Sequence, residues 1–174
     1  MRLAEESQAR LERFFQSYLG DETIRLPPIF IHAGFCSRYL TRALRVGAIT
    51  FGTHILVSSN LIAKDKRGRA IMPGWLLAHE VAHVRQYQAE GLLPFVFKYV
   101  REYLTLLCGS KNFSARGRMA AYEHLAHERE AREVEAAYQA WHAANALNEV
   151  RFAQDCEGVI TRFEPETGAS CKKR

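Results

Sequence analysis

Two histidines four residues apart, His79 and His83, enclose a glutamate in the run His79-Glu80-Val81-Ala82-His83, an HExxH pattern. On a helix, side chains at that spacing share one face, with Cβ atoms about 5–6 Å apart. Two imidazoles so placed can meet a single Zn2+ at about 2.0–2.1 Å each. Glu80 is turned about 100° around the axis from His79, beside the ion rather than on it. There its carboxylate can take a proton from a water that the ion has made acidic, with a pKa near about 7, and pass it to a leaving amine. The plainer reading is a pair of ordinary buried histidines with Glu80 on a solvated edge. Against it, the polar triple interrupts an apolar helix, and burying such groups without partners costs about 1–3 kcal/mol each. One metal would satisfy both histidines. A catalytic zinc also needs a third protein ligand and one open position. Residue types alone leave Glu123, His124, His127, Glu128, Glu130 and Glu133 as candidates.

The run from His79 through Val84-Arg85-Gln86-Tyr87, followed by Gly91, Phe95, Tyr99 and Tyr103, resembles the extracellular contractile injection system (eCIS) core domain family. That family is read as small bacterial metallopeptidases. Ala121-Tyr122 and then Glu128-Arg129-Glu130-Ala131-Arg132 resemble its second motif, an AY followed by ExEA, so the likeness covers roughly residues 45–140. The resemblance implies a gluzincin-like site with Glu128 as third zinc ligand and Ala131 keeping the facing helix slim. It implies an α+β, mainly helical zincin-like (minigluzincin) domain with a small N-terminal sheet or hairpin. It also implies an edge strand, here within 48–58, that pairs with an extended peptide substrate. Two positions depart from the wider gluzincin pattern. Arg132 stands where an aspartate commonly orients a metal-bound histidine, with Glu133 the nearest substitute, and Ala126 stands where a helix break is often proline, which would let two helices fuse.

Around this centre, Tyr122 and Tyr87 are the candidates for donating to a tetrahedral oxyanion, with packed aromatics as the plainer reading, and Gln86 could support His83. His32, His54 and His142 read as structural or solvent-facing. Leu11, Phe14, Phe15, Tyr18 and Leu19 recur at helical spacing up to Gly20. Ile29 to Ile31 reads as a short strand. Ile49, Phe51, Ile55 and Val57 alternate with Thr50, Gly52, His54 and Leu56, as one bent strand or a hairpin about Gly52. Pro73 opens the motif helix, expected from Trp75 to Ala89 with Gly91 as its stop. The apolar stretch starting near Pro94 is expected to pack into the core, Cys108 to Asn112 to form a loop, and helical signal to run from the N-cap Ser114 to about Leu147, either unbroken or broken near Ala126.

The composition is that of one globular domain, expected over 1–154, with a polar tail over 155–174. The charge, 24 − 19 = +5, is only mildly basic. The run Lys64 to Arg69 reads as a solvated loop, with no recognition helix or aromatic platform to make a specific nucleic-acid reader. Cys36, Cys108, Cys156 and Cys171 lie far apart, so neither a zinc ribbon nor a disulfide framework is expected, but mostly buried, reduced thiols. Met1 to Arg13 lacks the apolar core of a signal peptide, and Leu92 to Leu107 is too charged to span a bilayer. The expectation is a cytoplasmic zinc metallopeptidase acting on protein or peptide. Two rivals are a SprT-like DNA-associated protease, which would use a histidine as third ligand, and a non-catalytic zinc module with a closed four-ligand site.

Overall fold

Leu11, Phe14 and Phe15 are buried along the inner face of α1 (Glu5–Leu19), which ends on Gly20 in the left-handed conformation. This computed structural model describes residues 1–64 and 70–160. A short strand, β1 (Phe30–His32), leads into α2 (Phe35–Leu44). The chain returns through the hairpin β2 (Ala48–Phe51) and β3 (His54–Val57). Its two-residue loop has Gly52 at φ +60°, the first loop position, where a type II′ turn calls for glycine. Of the two sequence alternatives, the structure therefore takes the hairpin.

The sheet order is β1-β3-β2, with β1 parallel and β2 antiparallel to β3. Met1 and Leu3 cover the β1 edge, exchanging backbone bonds with Ile31 and Ile29. The outer edge of β2 has no strand partner among the described residues. Gly47 accepts from Ser58 across the hairpin, so by the alternation of an antiparallel ladder the backbone groups of Ala48 and Thr50 point outward along that edge. A separate two-stranded piece, β4 (Ala63–Lys64) and β5 (Ala70–Ile71), flanks the basic run, whose residues 65–69 lie outside those described.

Four helices follow: α3 (Gly74–Glu90), α4 (Leu92–Ser110), α5 (Ala115–Glu123) and α6 (Ala126–Ile160). The fold class is α+β and mainly helical, as the sequence implied. Pro73 precedes α3, and Gly91 at φ +83° separates it from α4. Phe14 meets Tyr138 of α6 edge-on at 5.1 Å, and the Arg85 guanidinium of α3 lies over the Phe15 ring. The chain divides into two units, Met1–Gln139 and Ala140–Arg174. The second holds the C-terminal part of α6, where Asn145 donates to the Trp141 carbonyl.

Five expectations change. α2 was not anticipated. Helix α4 continues through Cys108 to Ser110, and α6 runs beyond Leu147 to Ile160, taking in the first residues of the segment read as a tail; residues 161–174 lie outside those described. Between a continuous helix and one broken near Ala126, both left open by the sequence, the structure takes the break between α5 and α6. They part at His124-Leu125, where Leu125 is buried and Glu102 of α4 accepts from the freed N–H of Ala126 at 3.1 Å. Helix α4 is not packed all round in the core: only Phe95 and Leu107 are buried. Finally, Cys36 and Cys108 are exposed thiols. No helix among the described residues is long and apolar enough to cross a membrane.

Candidate metal centre

The interior of α3 is buried without interruption from Leu76 to Val84, so His79, Glu80 and His83 enter the core with the helix. The two imidazoles stand with ring centroids 5.0 Å apart and planes 80° from parallel. Facing them is Glu128, in the first turn of α6, where a helix N-terminus favours a carboxylate. Its Oε2 lies 3.5 Å from His79 Nε2 and its Oε1 3.4 Å from His83 Nε2. Those separations approach the edge of a tetrahedron with bonds of about 2.0–2.1 Å. One ligand atom from each of the three residues lies within 4.8 Å of the others, so the cluster could hold a metal ion. The donor set passes a further test of fit: Glu128 Oε2 is buried and has no hydrogen-bond partner. A buried carboxylate oxygen left so is costly unless a cation faces it.

The charges are coupled across this cluster. Burial pushes the Glu128 carboxyl upward, but the close approach of His79 and His83, at 3.5 and 3.4 Å, outweighs it and holds the group far below the usual carboxylate range. Burial pushes His83 down, yet the close approach of Glu128 and its charge raise it overall. The Glu128 carboxylate thus favours the charged form of His83. Glu80 goes the other way. Its burial raises the carboxyl above the ordinary value, against the opposing pull of His83, the Thr50 hydroxyl and His79. Thr50 Oγ1 donates to Glu80 Oε2 at 2.6 Å, fixing the carboxylate between β2 and the histidines.

Outer contacts orient the cluster. Gln86 Oε1 faces His83 Nδ1 at 2.8 Å, and Gln86 Nε2 donates to Glu130 Oε2 and to the His127 carbonyl. The Tyr99 hydroxyl donates to Glu128 Oε1 at 2.9 Å. Glu135 Oε2 stands 3.3 Å from His79 Nδ1, although the two are not aligned as a hydrogen bond and Nδ1 has no bonded partner. The carboxylate nearest that histidine is thus Glu135, two turns beyond Glu128, and not the exposed Glu133. Glu135 escaped the sequence reading, as did the contacts of Tyr99 and Thr50, which entered it only through the family likeness and the strand alternation. The spacing of seven from Glu128 to Glu135 was the available signal, since residues so spaced share a helix face.

The other candidate ligands are turned away. His124 closes α5 with its Nδ1 2.8 Å from the Ala120 carbonyl, and His127 pairs its Nε2 with Glu90 Oε1 at 3.0 Å while packing on Phe95. The carbonyl of Glu123 accepts from Arg132, which explains the arginine at the departing position. The hydroxyl of Tyr87 is spent on the Thr50 carbonyl, and burial pushes its pKa up to about 12. Tyr122 lines the approach to Glu128, and its hydroxyl is raised by burial and by the Glu128 charge. His32 and His54 pair with each other on the far side of the sheet, 2.9 Å between ring nitrogens.

Glu80, His83 and Glu128 form the floor of a cavity of about 580 Å³. One wall is β2 with the end of α2; the other is α4 with α5. Comparison with curated proteins and with solved structures finds no match. A family comparison does: the eCIS core domain matches residues 2–91. That span takes in α1, the sheet and all of α3, which the motif-based resemblance had left partly outside, and it stops before the second motif. Glu128 therefore enters the cluster on geometry alone. With more than half of its 174 residues matched, the chain belongs to the eCIS core domain family.

Proposed function

We propose that this protein is a zinc-dependent metallopeptidase of gluzincin-like arrangement, with His79, His83 and Glu128 as metal ligands. The observation that carries the reading is the convergence of these three buried side chains on one point, leaving Glu128 Oε2 unpaired. The chemistry of the donor set, two imidazoles and a carboxylate, is that of a catalytic zinc site. Bound zinc would supply Lewis acidity and bring the pKa of a water to about 7. The chain supplies the rest. Glu80, pinned by Thr50 beside the histidines and raised toward the working range by burial, accepts the proton and delivers it to the leaving amine. The outer edge of β2, unpaired by any strand among the described residues, can align an extended peptide through the backbone of Ala48 and the N–H of Thr50, whose carbonyl is held by Tyr87. Tyr122, which lines the same cavity as Glu80 and Glu128, is the side chain we assign to donate to the developing oxyanion.

The rival readings have less support. A closed structural site would draw its fourth ligand from His124 or His127, and both are committed elsewhere. A SprT-like site would use a histidine in place of Glu128. The test is Glu80→Gln in the full chain. Zinc content by elemental analysis should match that of the unaltered protein, while hydrolysis of a quenched casein substrate should fall by about a hundred- to ten-thousand-fold. Turnover that survives the substitution refutes the reading.

A further inference from the structure

The cavity above the metal cluster is lined mainly by apolar and aromatic side chains, yet it contains two arginines. Leu44, Ile49 and Phe51 stand on one wall, Tyr103 and Met119 on the other. Arg45, at the end of α2, and Arg118, on α5, flank the cleft from opposite walls. Apart from Glu80 and Glu128 on the floor, no acidic residue among the described ones lines it. Arg45 has no ion-pair partner among the described residues, and Arg118 spends only one guanidinium nitrogen, on the Phe113 carbonyl. Arg45 also holds a left-handed backbone, φ +57°, unusual for a non-glycine residue. Both side chains are exposed, so their charge is open to whatever enters.

We propose that the cleft selects extended peptide segments in which one bulky apolar side chain is flanked by acidic residues. This rests on the peptidase reading and names its substrate class. The apolar side chain fills the cavity beside the metal cluster, and the flanking carboxylates meet Arg45 on one side and Arg118 on the other. The outer edge of β2, running along the same wall, holds the backbone extended, so that alternate side chains reach the cavity and the rim. A segment with basic flanks meets two guanidinium groups of like charge, and a segment without the apolar anchor leaves the cavity wet.

The experiment uses the full-length Glu80→Gln variant, zinc-loaded, and three fluorescein-labelled nonapeptides followed by anisotropy. One has a central Phe with Glu flanks, one a central Phe with Lys flanks, and one a central Ser with Glu flanks. The Glu-flanked Phe peptide should bind about tenfold more tightly than its Lys-flanked counterpart, with the gap narrowing as salt is raised. It should bind more than tenfold more tightly than the Ser peptide. The Arg45→Glu/Arg118→Glu double variant, checked for unchanged zinc content, should reverse the preference between Glu and Lys flanks. Equal binding of both Phe peptides, a preference that survives charge reversal, or no binding of any peptide overturns the proposal. The same peptides offered to the unaltered protein separate the two readings. Binding preference without cleavage sinks the peptidase and leaves the selectivity standing; cleavage without preference does the reverse.

Discussion

Helices α3 and α4 lie end to end in the sequence, and their chemistry and burial run in opposite directions. The first carries a polar His-Glu-His triple, yet ten of its residues are buried. The second is the more apolar by composition, yet buries only Phe95 and Leu107 and leaves Leu93 79% and Phe97 66% exposed. Apolarity did not decide which helix the core took. The inner helix is the one whose polar groups find partners there: Thr50 for Glu80, Gln86 for His83, Glu128 for both histidines. Helix α4 serves the centre through one stripe. Phe95 packs on Tyr87 and His127, Tyr99 holds Glu128, and Lys98 pairs with Glu90 at the end of α3. Its remaining apolar surface faces outward, a pattern that marks interaction surfaces rather than cores.

The largest break in this comparison should come from Glu128→Ala. With one ligand gone and two buried imidazoles facing each other, zinc affinity should fall by more than about a hundredfold, beyond what loss of an orienting contact costs. Chelator competition reads it, and an affinity within threefold of the unaltered protein contradicts the assignment of the ligand. The pH dependence has a definite sign. Glu128 raises His83 above its ordinary 6.5, so a metal ion competes with the proton for that imidazole. Affinity in the unaltered protein should therefore climb as pH rises through and above that value, with proton release detectable by calorimetry in two buffers.

The two sides of α4 itself offer the next contrast. Phe95→Ala removes a ring that is 3% exposed and wedged between Tyr87 and His127, and should cost about 3–5 kcal/mol in urea unfolding. Phe97→Ala, two residues on, should change stability by no more than about 0.5 kcal/mol. Similar costs at the two positions would mean that the outer face is covered.

Much of this was readable in the sequence, and the parts that were not share a cause. The histidine pair, the stop at Gly91, the period of α1 with its glycine cap and the Ser114 N-cap depend on neighbours within a few residues, so spacing reveals them. Helix α2 inverts the usual rule. Ser37 and Thr41 are buried while Phe35, Tyr39 and Leu44 are exposed, and Thr41 tolerates burial because its hydroxyl bonds back to the Ser37 carbonyl at 2.8 Å. Thr50 likewise points inward from β2 where Phe51 points out, because the buried face of that strand meets a carboxylate. The parting of α5 from α6 comes from Glu102, two dozen residues upstream. Such features are set by the partner across the core, which a local pattern does not contain.

Glu135 supplies the smallest test, and a discriminating one. Its carboxylate lies near the unbonded Nδ1 of His79, where a small rotation of either side chain would complete a hydrogen bond. Such a bond fixes the tautomer with Nε2 free to ligate and makes the ring a better donor. Glu135→Gln keeps the shape but removes the charge, and zinc affinity should drop by about tenfold with folding stability little changed. Glu133→Gln, one turn face away and exposed, should leave the affinity unaltered. A loss at Glu133 and none at Glu135 would show that the histidine is oriented by the residue nearer in sequence, and that α6 turns a different face to α3 once metal is bound.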